Sequence, residues 1–268
     1  MSVDKKIRRL DEKIDKLRIK FKDEEDFKVV QSVFDRRTLI TLYKLARDGY
    51  IDVMNGIIST GKEANVYWAK NSDGEDVAVK IYRITTLDYR KMATYIEGDP
   101  RFKTFKKKTH ALVYEWAKKE YKNLYDARNV GVRVPNPIIV EKNVLIMEFI
   151  GEDGVPAPLL KEVEPEEPEK VLDTIVNYME KLYKGAELVH GDLSEYNIMY
   201  LYGEVVFIDM SQSVKAKHPH SLELLVRDIR NVLNYFRKLD VLVYSIDEVF
   251  EKVTGLNYNE YSIILENP

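Results

Sequence analysis

Apolar and polar residues alternate differently in successive parts of this chain, and the changes of pattern divide it into three regions. Residues 1–50 have helical spacing, with a charge-dense stretch over 4–28 and a stronger amphipathic helix that begins at Asp35. Residues 51–150 carry mostly short strand patterns, and residues 151–268 carry mainly helical stripes. The pattern predicts an α+β fold in which an N-terminal helical extension precedes two lobes. The first lobe is a small antiparallel sheet with one helix, and the second is reduced and mainly helical.

The middle region contains five predicted strands and one helix. The strands cover 52–58, 64–69, 76–82, 137–140 and 144–150, and the helix covers 113–125. A tight hairpin turn over 71–74 joins the second and third strands. Residues 84–110 interrupt this pattern, and we interpret them as an insertion.

The strongest chemical signal is a polar loop between two short apolar strands, followed by a third strand that ends in a carboxylate. The loop holds Asp192 and, five positions later, Asn197, and the third strand ends at Asp209. Magnesium on a nucleotide prefers hard oxygen ligands and needs only one or two carboxylates beside the phosphates. We therefore expect Asn197 and Asp209 to hold the metal, while Asp192 accepts the proton of an attacking hydroxyl. If the loop is considered alone, the alternative is that its Asp and Asn only cap turns, as these residues commonly do.

Two upstream features supply other parts that a nucleotide site needs. A hairpin of mostly small or polar residues consists of Ser59, Thr60, Gly61, Lys62, Glu63 and Ala64. Its backbone N–H groups can approach phosphate oxygens, although it lacks the glycine spacing of a Walker motif and an ordinary surface hairpin is the alternative. Lys80 lies near the end of the third strand, where protein kinases carry the lysine that holds the phosphates. The order of hairpin, lysine, Asp192, Asn197 and Asp209 matches the order of these parts in protein kinases.

The strand over 144–150 predicts where the adenine of a nucleotide would bind. It is apolar to its end and then breaks into a glycine- and proline-rich stretch over 151–158. We expect a hinge between the two lobes at this break. The backbone groups of Glu148 and Ile150 would then bond the adenine edge.

The helix over 113–125 offers an ion-pair partner for Lys80. In protein kinases the phosphate-holding lysine pairs with a glutamate of the helix that follows it. Glu120 is our candidate for this partner, and Glu115 is the alternative.

The insertion contains a short basic cluster. Residues 101–108 include five Lys or Arg side chains, with Phe102 and Phe105 between them. Phosphate neutralisation together with base stacking would suit contact with RNA. A solvated loop explains the cluster equally well, because charge runs this short are common.

Composition narrows the functional classes. The chain of 268 residues carries 42 basic and 45 acidic side chains, so its net charge of −3 does not indicate a nucleic-acid binder as a whole. The absence of cysteine excludes thiolate metal sites, cysteine nucleophiles and any disulfide-linked partner. No apolar signal core or membrane-spanning run is present, so we expect a cytoplasmic protein without a membrane partner.

Three motifs together resemble the RIO family of atypical serine/threonine protein kinases, specifically its first subfamily. They are the stretches over 59–67, with sequence STGKEANVY, over 190–197, with sequence HGDLSEYN, and over 208–212, with sequence IDMSQ. The resemblance covers roughly residues 35–255. It implies a two-lobed kinase fold that binds ATP and Mg²⁺, with Mn²⁺ as an alternative metal.

The resemblance also implies roles for individual residues. By motif position, Asp192 is the catalytic base, Asn197 and Asp209 hold the metal, Lys80 holds the phosphates, and the hairpin covers them. Family members are associated with maturation of the small ribosomal subunit, so a precursor of that subunit, with its rRNA and proteins, is the expected partner. Some members are thought to act as ATPases through a phospho-aspartate, which here would form on Asp209.

The sequence departs from ordinary protein kinases at three places. Gly191 replaces an arginine, Met210-Ser211 replaces Phe-Gly, and no Ala-Pro-Glu motif follows. Because the segment after Asp209 is also short, we expect autophosphorylation and ATP hydrolysis rather than efficient phosphorylation of proteins in trans.

Two other functional classes fit parts of the sequence. A small-molecule phosphotransferase of the aminoglycoside or choline kinase type would also carry His190-Gly191-Asp192-Leu193 and Asn197. The 59–63 hairpin and the sequence over 209–212 argue against it. A non-catalytic assembly factor that only binds ATP is the third class, and the joint presence of Lys80 and the three site residues argues against it.

Overall fold

The computed structural model describes residues 35–84, 92, 95 and 109–260. Most of the predicted N-terminal extension, most of the insertion over 84–110 and the whole basic cluster over 101–108 lie outside these residues. The described chain forms two compact units. One contains 35–84, 109–118 and 137–156, and the other contains 119–136 and 157–260. The predicted boundaries at residues 50 and 150 stay predictions.

The elements of the first unit follow the predicted order. They are α1 (Arg36–Arg47), β1 (Val53–Thr60), β2 (Ala64–Lys70), β3 (Asp76–Tyr82), the start of α2 (Thr109–Asn129), β4 (Pro137–Glu141), β5 (Val144–Glu148), β6 (Gly151–Glu152) and β7 (Val155–Pro156). Strands β1 to β5 form one antiparallel sheet in the order β1-β2-β3-β5-β4. The predicted small antiparallel sheet is therefore present.

Local sequence explains the ends of these elements. The Asp35 side chain accepts a hydrogen bond from Thr38 N at 2.8 Å and so caps α1. In the β2–β3 turn, the Asn71 side chain accepts from the backbone N–H groups of Asp73 and Glu75 at 3.0 and 2.9 Å. The predicted tight turn over 71–74 is confirmed.

The core of the first unit lies between α1 and one face of the sheet. Its buried members are Leu42, Leu45, Ile51, Met54, Tyr67, Ala69, Val77, Val79, Ile81, Val144 and Ile146. Asn143 anchors this layer, because its buried amide donates to Thr38 Oγ1 at 2.9 Å and to Tyr82 O at 3.0 Å. Side chains alternate along β3, so Lys80 projects from the face opposite Val79.

The predicted break after β5 contains a small hairpin. Strands β6 and β7 pair across Gly154, which has φ +78°. A Cβ atom at Gly154 would lie 2.5 Å from the Trp68 ring, so only glycine allows this turn to pack on β2. Residues 151–156 of the expected hinge therefore form a paired hairpin within the first unit. The hinge itself stays a prediction.

The second unit is mainly helical. Its elements are the end of α2, a 3₁₀ turn (Leu160–Glu162), α3 (Pro168–Gly185), β8 (Leu188–Val189), β9 (Ile198–Leu201), β10 (Glu204–Phe207), a second 3₁₀ turn (Met210–Gln212), β11 (Val214–Lys215), α4 (Ser221–Arg237) and α5 (Ile246–Thr254). Strands β9 and β10 form one antiparallel pair, and β8 pairs with β11. The α+β architecture is confirmed.

The predicted apolar stripes of α3 and α4 form much of the core of the second unit. Their buried apolar members are Val171, Leu172, Ile175, Val176, Met179 and Leu182 on α3, and Leu224, Leu225, Ile229, Val232, Leu233 and Phe236 on α4. Within the described residues, no helix is both long and apolar enough to cross a bilayer. The expected cytoplasmic location stays a prediction.

Candidate active site

The polar loop between β8 and β9 is held closed by its own backbone. Asn197 N donates to Ser194 O at 2.9 Å, and Ile208 N donates to Asn197 O at 3.0 Å. Asn197 immediately precedes β9 and Asp209 closely follows β10, and these strands pair with Ile198 opposite Phe207. Antiparallel pairing therefore brings Asn197 and Asp209 to the same end of one hairpin.

The amide of Asn197 is oriented by Asp192. Its Nδ2 donates to Asp192 O at 2.8 Å and, more weakly, lies 3.4 Å from Asp192 Oδ2. Because the nitrogen is engaged with Asp192, the amide oxygen is the group that Asn197 can offer to a cation. Gln212 Nε2 donates to Asp192 Oδ2 at 3.0 Å. The structure thus brings Asp192, Asn197 and the segment after Asp209 into one cluster.

Asp209 adopts a left-handed backbone conformation at the start of the second 3₁₀ turn. Its φ and ψ are 58° and 62°, a region that Asp visits more readily than most residues. Ser211 Oγ donates to Asp209 Oδ1 at 2.7 Å, which fixes the orientation of the carboxylate. Asp209 is therefore held by its backbone conformation and by a neighbouring hydroxyl.

His190 connects the two functional loops. It is buried, its Nδ1 accepts from Asp192 N at 3.3 Å, and its Nε2 lies 3.1 Å from Ile208 O. An Nδ1 that accepts and an Nε2 that donates describe the neutral ring with its proton on Nε2. The imidazole thereby ties the residue before Asp209 to the backbone of Asp192.

Gly191 explains one departure from ordinary protein kinases. Its φ is +78°, and a Cβ atom there would lie 3.0 Å from Gln212 O. The loop therefore approaches the backbone of the segment after Asp209 so closely that a side chain would push the two apart. An arginine at this position would not fit without a shift.

Two charged residues of α4 anchor the loop, and the sequence interpretation missed both. Asp228 is 1% exposed and accepts from Gly191 N at 2.7 Å and from Leu193 N at 2.9 Å. The Arg227 guanidinium donates to Gly191 O. The signal was available, since Asp228 falls on the apolar stripe between Leu224 and Val232, where an acid needs a specific partner.

Burial raises the pKa of the Asp228 carboxyl from its ordinary value of 3.8 to about 7. The Gly191 and Leu193 N–H groups and the Arg227 charge oppose this shift, whereas the negative charge of Asp192 reinforces it. The loop anchor is therefore a carboxyl group that titrates close to neutral pH.

The predicted phosphate-binding residues lie in the first unit. Ser59 and Thr60 belong to strand β1 and Ala64 to β2, so the turn itself is Gly61–Glu63, closed by Gly61 N donating to Ala64 O at 2.9 Å. Lys80 is 6% exposed and lies opposite Val66 and Leu145 in the sheet.

The remaining predicted residues are placed as follows. Glu148 ends β5, and Ile150 is buried just beyond it. Glu115 pairs with Lys118 at 2.8 Å on the surface of α2, whereas Glu120 is fully buried. The choice between Glu120 and Glu115 as partner of Lys80, and the adenine contacts of Glu148 and Ile150, stay predictions.

The raised pKa of Asp228 predicts how stability depends on pH. Between about pH 4 and 7 the folded state keeps the Asp228 proton and the unfolded state does not, so the contribution of Asp228 to stability is lost as the pH rises. Relative to Asp228→Asn, we expect the free energy of unfolding of the natural chain to fall across this range by a few kcal/mol, in order of magnitude. Urea denaturation at a series of pH values measures it.

The matched control is Asp240→Asn, which makes the same chemical change at an exposed site. It should show the pH dependence of the natural chain. A constant difference between the natural chain and Asp228→Asn at every pH would contradict the raised pKa.

Comparisons with known proteins agree with the motifs. The family model described as the RIO domain matches residues 65–249. The RIO-type serine/threonine-protein kinase Rio1 of Haloferax volcanii is 48% identical over 252 residues, which are 94% of this chain and 86% of that protein. The human serine/threonine-protein kinase RIO1 is 42% identical over 239 residues, which are 88% of this chain but 42% of the human protein.

Solved structures agree on the fold. A crystal structure described as the Rio2 kinase-ADP/Mg²⁺-phosphoaspartate complex from Chaetomium thermophilum superposes with a TM-score of 0.63 at 19% identity. The match covers 81% of this chain and 66% of that one. The predicted kinase-like fold is confirmed, and the predicted protein-kinase class is confirmed by the named relatives. This chain belongs to the RIO family, and within it to the Rio1 type.

Proposed function

We propose that this protein kinase uses ATP and Mg²⁺ to phosphorylate serine or threonine, on itself in particular, and also hydrolyses ATP. The observation that carries the proposal is the cluster at one end of the β9–β10 hairpin. There the Asn197 amide is held by Asp192, and Asp209 follows the paired strand. A base in the preceding loop and two oxygen ligands at one end of the hairpin suit phosphoryl transfer.

The residues present fit a magnesium ion. Asn197 and Asp209 offer one amide oxygen and one carboxylate, both hard ligands, and Mg²⁺ on a nucleotide keeps most of its other positions for phosphates and water. Among the described residues, no group of three or more His, Cys, Asp or Glu side chains forms a separate metal cluster. When bound, the metal would neutralise charge on the phosphates. The same oxygen ligands also suit Mn²⁺.

Asp192 is suited to the role of general base. Gln212 and Asn197 both donate towards Oδ2, which orients the carboxylate. In the proposed step, the hydroxyl of the acceptor gives its proton to Asp192 as its oxygen bonds to the γ-phosphorus. The bond between that phosphorus and the bridging oxygen breaks, and ADP leaves.

The ATPase activity would use Asp209 itself as acceptor. Its carboxylate would bond to the γ-phosphorus as ADP leaves, and water would then cleave the acyl phosphate to free phosphate and the original carboxylate. The related Rio2 protein is described with ADP, Mg²⁺ and a phosphoaspartate. The Ser211 hydroxyl, which holds Oδ1, would orient the carboxylate for this reaction.

The first unit would bind the rest of the nucleotide. The Gly61–Glu63 turn would cover the phosphates, because Gly61 and Lys62 are exposed and glycine lets the backbone approach. Lys80 would hold the phosphates. The backbone of Glu148 and Ile150 would bond the adenine edge.

Magnesium-dependent nucleotide binding tests the assignment of the two carboxylates. We expect Asp209→Asn to weaken ADP binding at least tenfold in the presence of Mg²⁺ and to leave binding in EDTA unchanged, because it replaces a charged metal ligand by a neutral amide of the same size. Asp192→Asn should bind Mg²⁺-ADP like the natural chain. Isothermal titration calorimetry with and without Mg²⁺ measures both effects.

Asp240→Asn is the control for Asp209→Asn, since Asp240 is exposed and also has a positive φ of 56°. The assignment fails if Asp209→Asn and Asp240→Asn bind Mg²⁺-ADP with the same affinity. It also fails if Asp192→Asn is the variant that loses the dependence on Mg²⁺.

We also propose that the nucleotide cycle controls binding to a precursor of the small ribosomal subunit. The family resemblance and the five basic side chains over 101–108 support this partner. We expect the protein to co-sediment with purified precursor particles in the presence of a non-hydrolysable ATP analogue, and to dissociate at least tenfold faster with hydrolysable ATP. Equal retention with ATP, analogue and no nucleotide would count against the partner.

A further inference from the structure

Two polar side chains of α2 are buried next to the segment that follows Asp209 in the second unit. Lys119 and Asn123 are both 0% exposed, and they lie one helical turn apart on the same face of α2. A lysine is almost never fully buried unless specific partners hold its charge. These two positions therefore need a structural explanation that the proposed catalytic roles do not give.

Both side chains donate to backbone carbonyl groups just after Asp209. Lys119 Nζ donates to Ser211 O at 2.8 Å and also to Ser213 O. Asn123 Nδ2 donates to Met210 O at 2.8 Å and to Ser213 O at 3.1 Å. Two carbonyl groups of the 3₁₀ turn and that of Ser213, which follows it, are thus bonded from the same helix.

The side chains of this turn hold both functional carboxylates. Ser211 Oγ donates to Asp209 Oδ1, and Gln212 Nε2 donates to Asp192 Oδ2. The backbone that carries these two donors is the backbone that Lys119 and Asn123 hold. Any displacement of the turn would move the Asp209 carboxylate and withdraw the amide from Asp192.

A third contact joins α2 to the chain just beyond this turn. Asp126, seven positions after Lys119, pairs with Lys215 at 3.0 Å. The spacing of 119, 123 and 126 places all three side chains on one face of α2. Along this face Lys119 and Asn123 bond carbonyl groups of residues 210–213, whereas Asp126 bonds the side chain of Lys215, beyond the turn that holds the two carboxylates.

We propose that Lys119 and Asn123 are positioning residues for metal binding and catalysis, which act on Asp209 and Asp192 through the carbonyl groups of residues 210–213. The inference rests on the proposed function, in which Asp209 holds the metal. The left-handed Asp209 and the tight turn direct three carbonyls towards α2, and an ammonium group satisfies two of them at once. Removing it leaves buried acceptors without a donor, which favours a different loop conformation.

The test substitution is Lys119→Met, which keeps the length of the side chain and removes its donors. We expect the Mg²⁺ concentration for half-maximal ADP binding to rise at least tenfold, and binding of ADP in EDTA to stay unchanged. The rate of phosphoryl transfer at saturating Mg²⁺ should also fall at least tenfold, since small displacements of reacting groups carry large rate penalties.

Lys215→Met is the matched control. It makes the same substitution, removes a contact with the same helix and leaves the carbonyls of 210–213 bonded. We expect its Mg²⁺ dependence to stay within twofold of the natural chain. If Lys119→Met does not fold, Asn123→Ser decides the matter, because it removes only neutral donors and should raise the half-maximal Mg²⁺ concentration several-fold.

Hydrogen exchange in the absence of nucleotide tests the positioning separately from the proposed function. The amide of Ser213 is bonded to Met210 O within the turn, at 3.2 Å. We expect it to exchange at least tenfold faster in Lys119→Met or Asn123→Ser than in Lys215→Met.

The two readouts separate two kinds of failure. Unchanged exchange, or a Mg²⁺ dependence in folded variants within twofold of the control, would overturn the positioning role. The proposed function would be overturned if ADP binding by the natural chain did not depend on Mg²⁺. If hydrogen exchange were still faster in the variants, the structural contact alone would stand.

Discussion

The candidate site depends on a buried carboxylate that holds the backbone of a loop. Asp228 accepts from the N–H groups of Gly191 and Leu193, on either side of Asp192. A buried N–H group that loses its acceptor costs about 1–3 kcal/mol, and here the two bonds substitute for regular secondary structure in a segment that has none. The position of Asp192 is therefore set by helix α4, which is itself fixed by the apolar core of the second unit.

The same design recurs on the other side of the cluster. Helix α2 holds the turn after Asp209 through carbonyl groups, whereas α4 holds the loop around Asp192 through N–H groups. Between them, His190 and Gln212 connect the two segments directly. Loops that carry functional groups are mobile by default, so rigid helices must supply the restraint that the loops lack. In this protein, buried polar side chains on two helices supply it.

The sequence predicted those parts of the structure that depend on periodicity and local chemistry. The five-stranded sheet, the turn over 71–74 and the stripes of α3 and α4 follow from alternation and helical spacing. The cluster of Asp192, Asn197 and Asp209 follows from the predicted strands. The sequence interpretation missed Lys119, Asn123 and Asp228. Their partners are backbone groups 35 to 94 positions away, and almost every residue type has the same backbone groups, so such a partner cannot be recognised from the sequence. Only their polarity within apolar helix faces indicated a role.

A single turnover with γ-labelled ATP and Mg²⁺ tests most directly whether this cluster transfers phosphate. The label is followed into free phosphate, acid-stable phosphoprotein and hydroxylamine-labile phosphoprotein. The proposed function predicts that label leaves ATP, that the hydroxylamine-labile pool disappears in Asp209→Asn, and that the acid-stable pool disappears in Asp192→Asn. Label that stays in bound ATP, or that is transferred equally well by both variants, would contradict it.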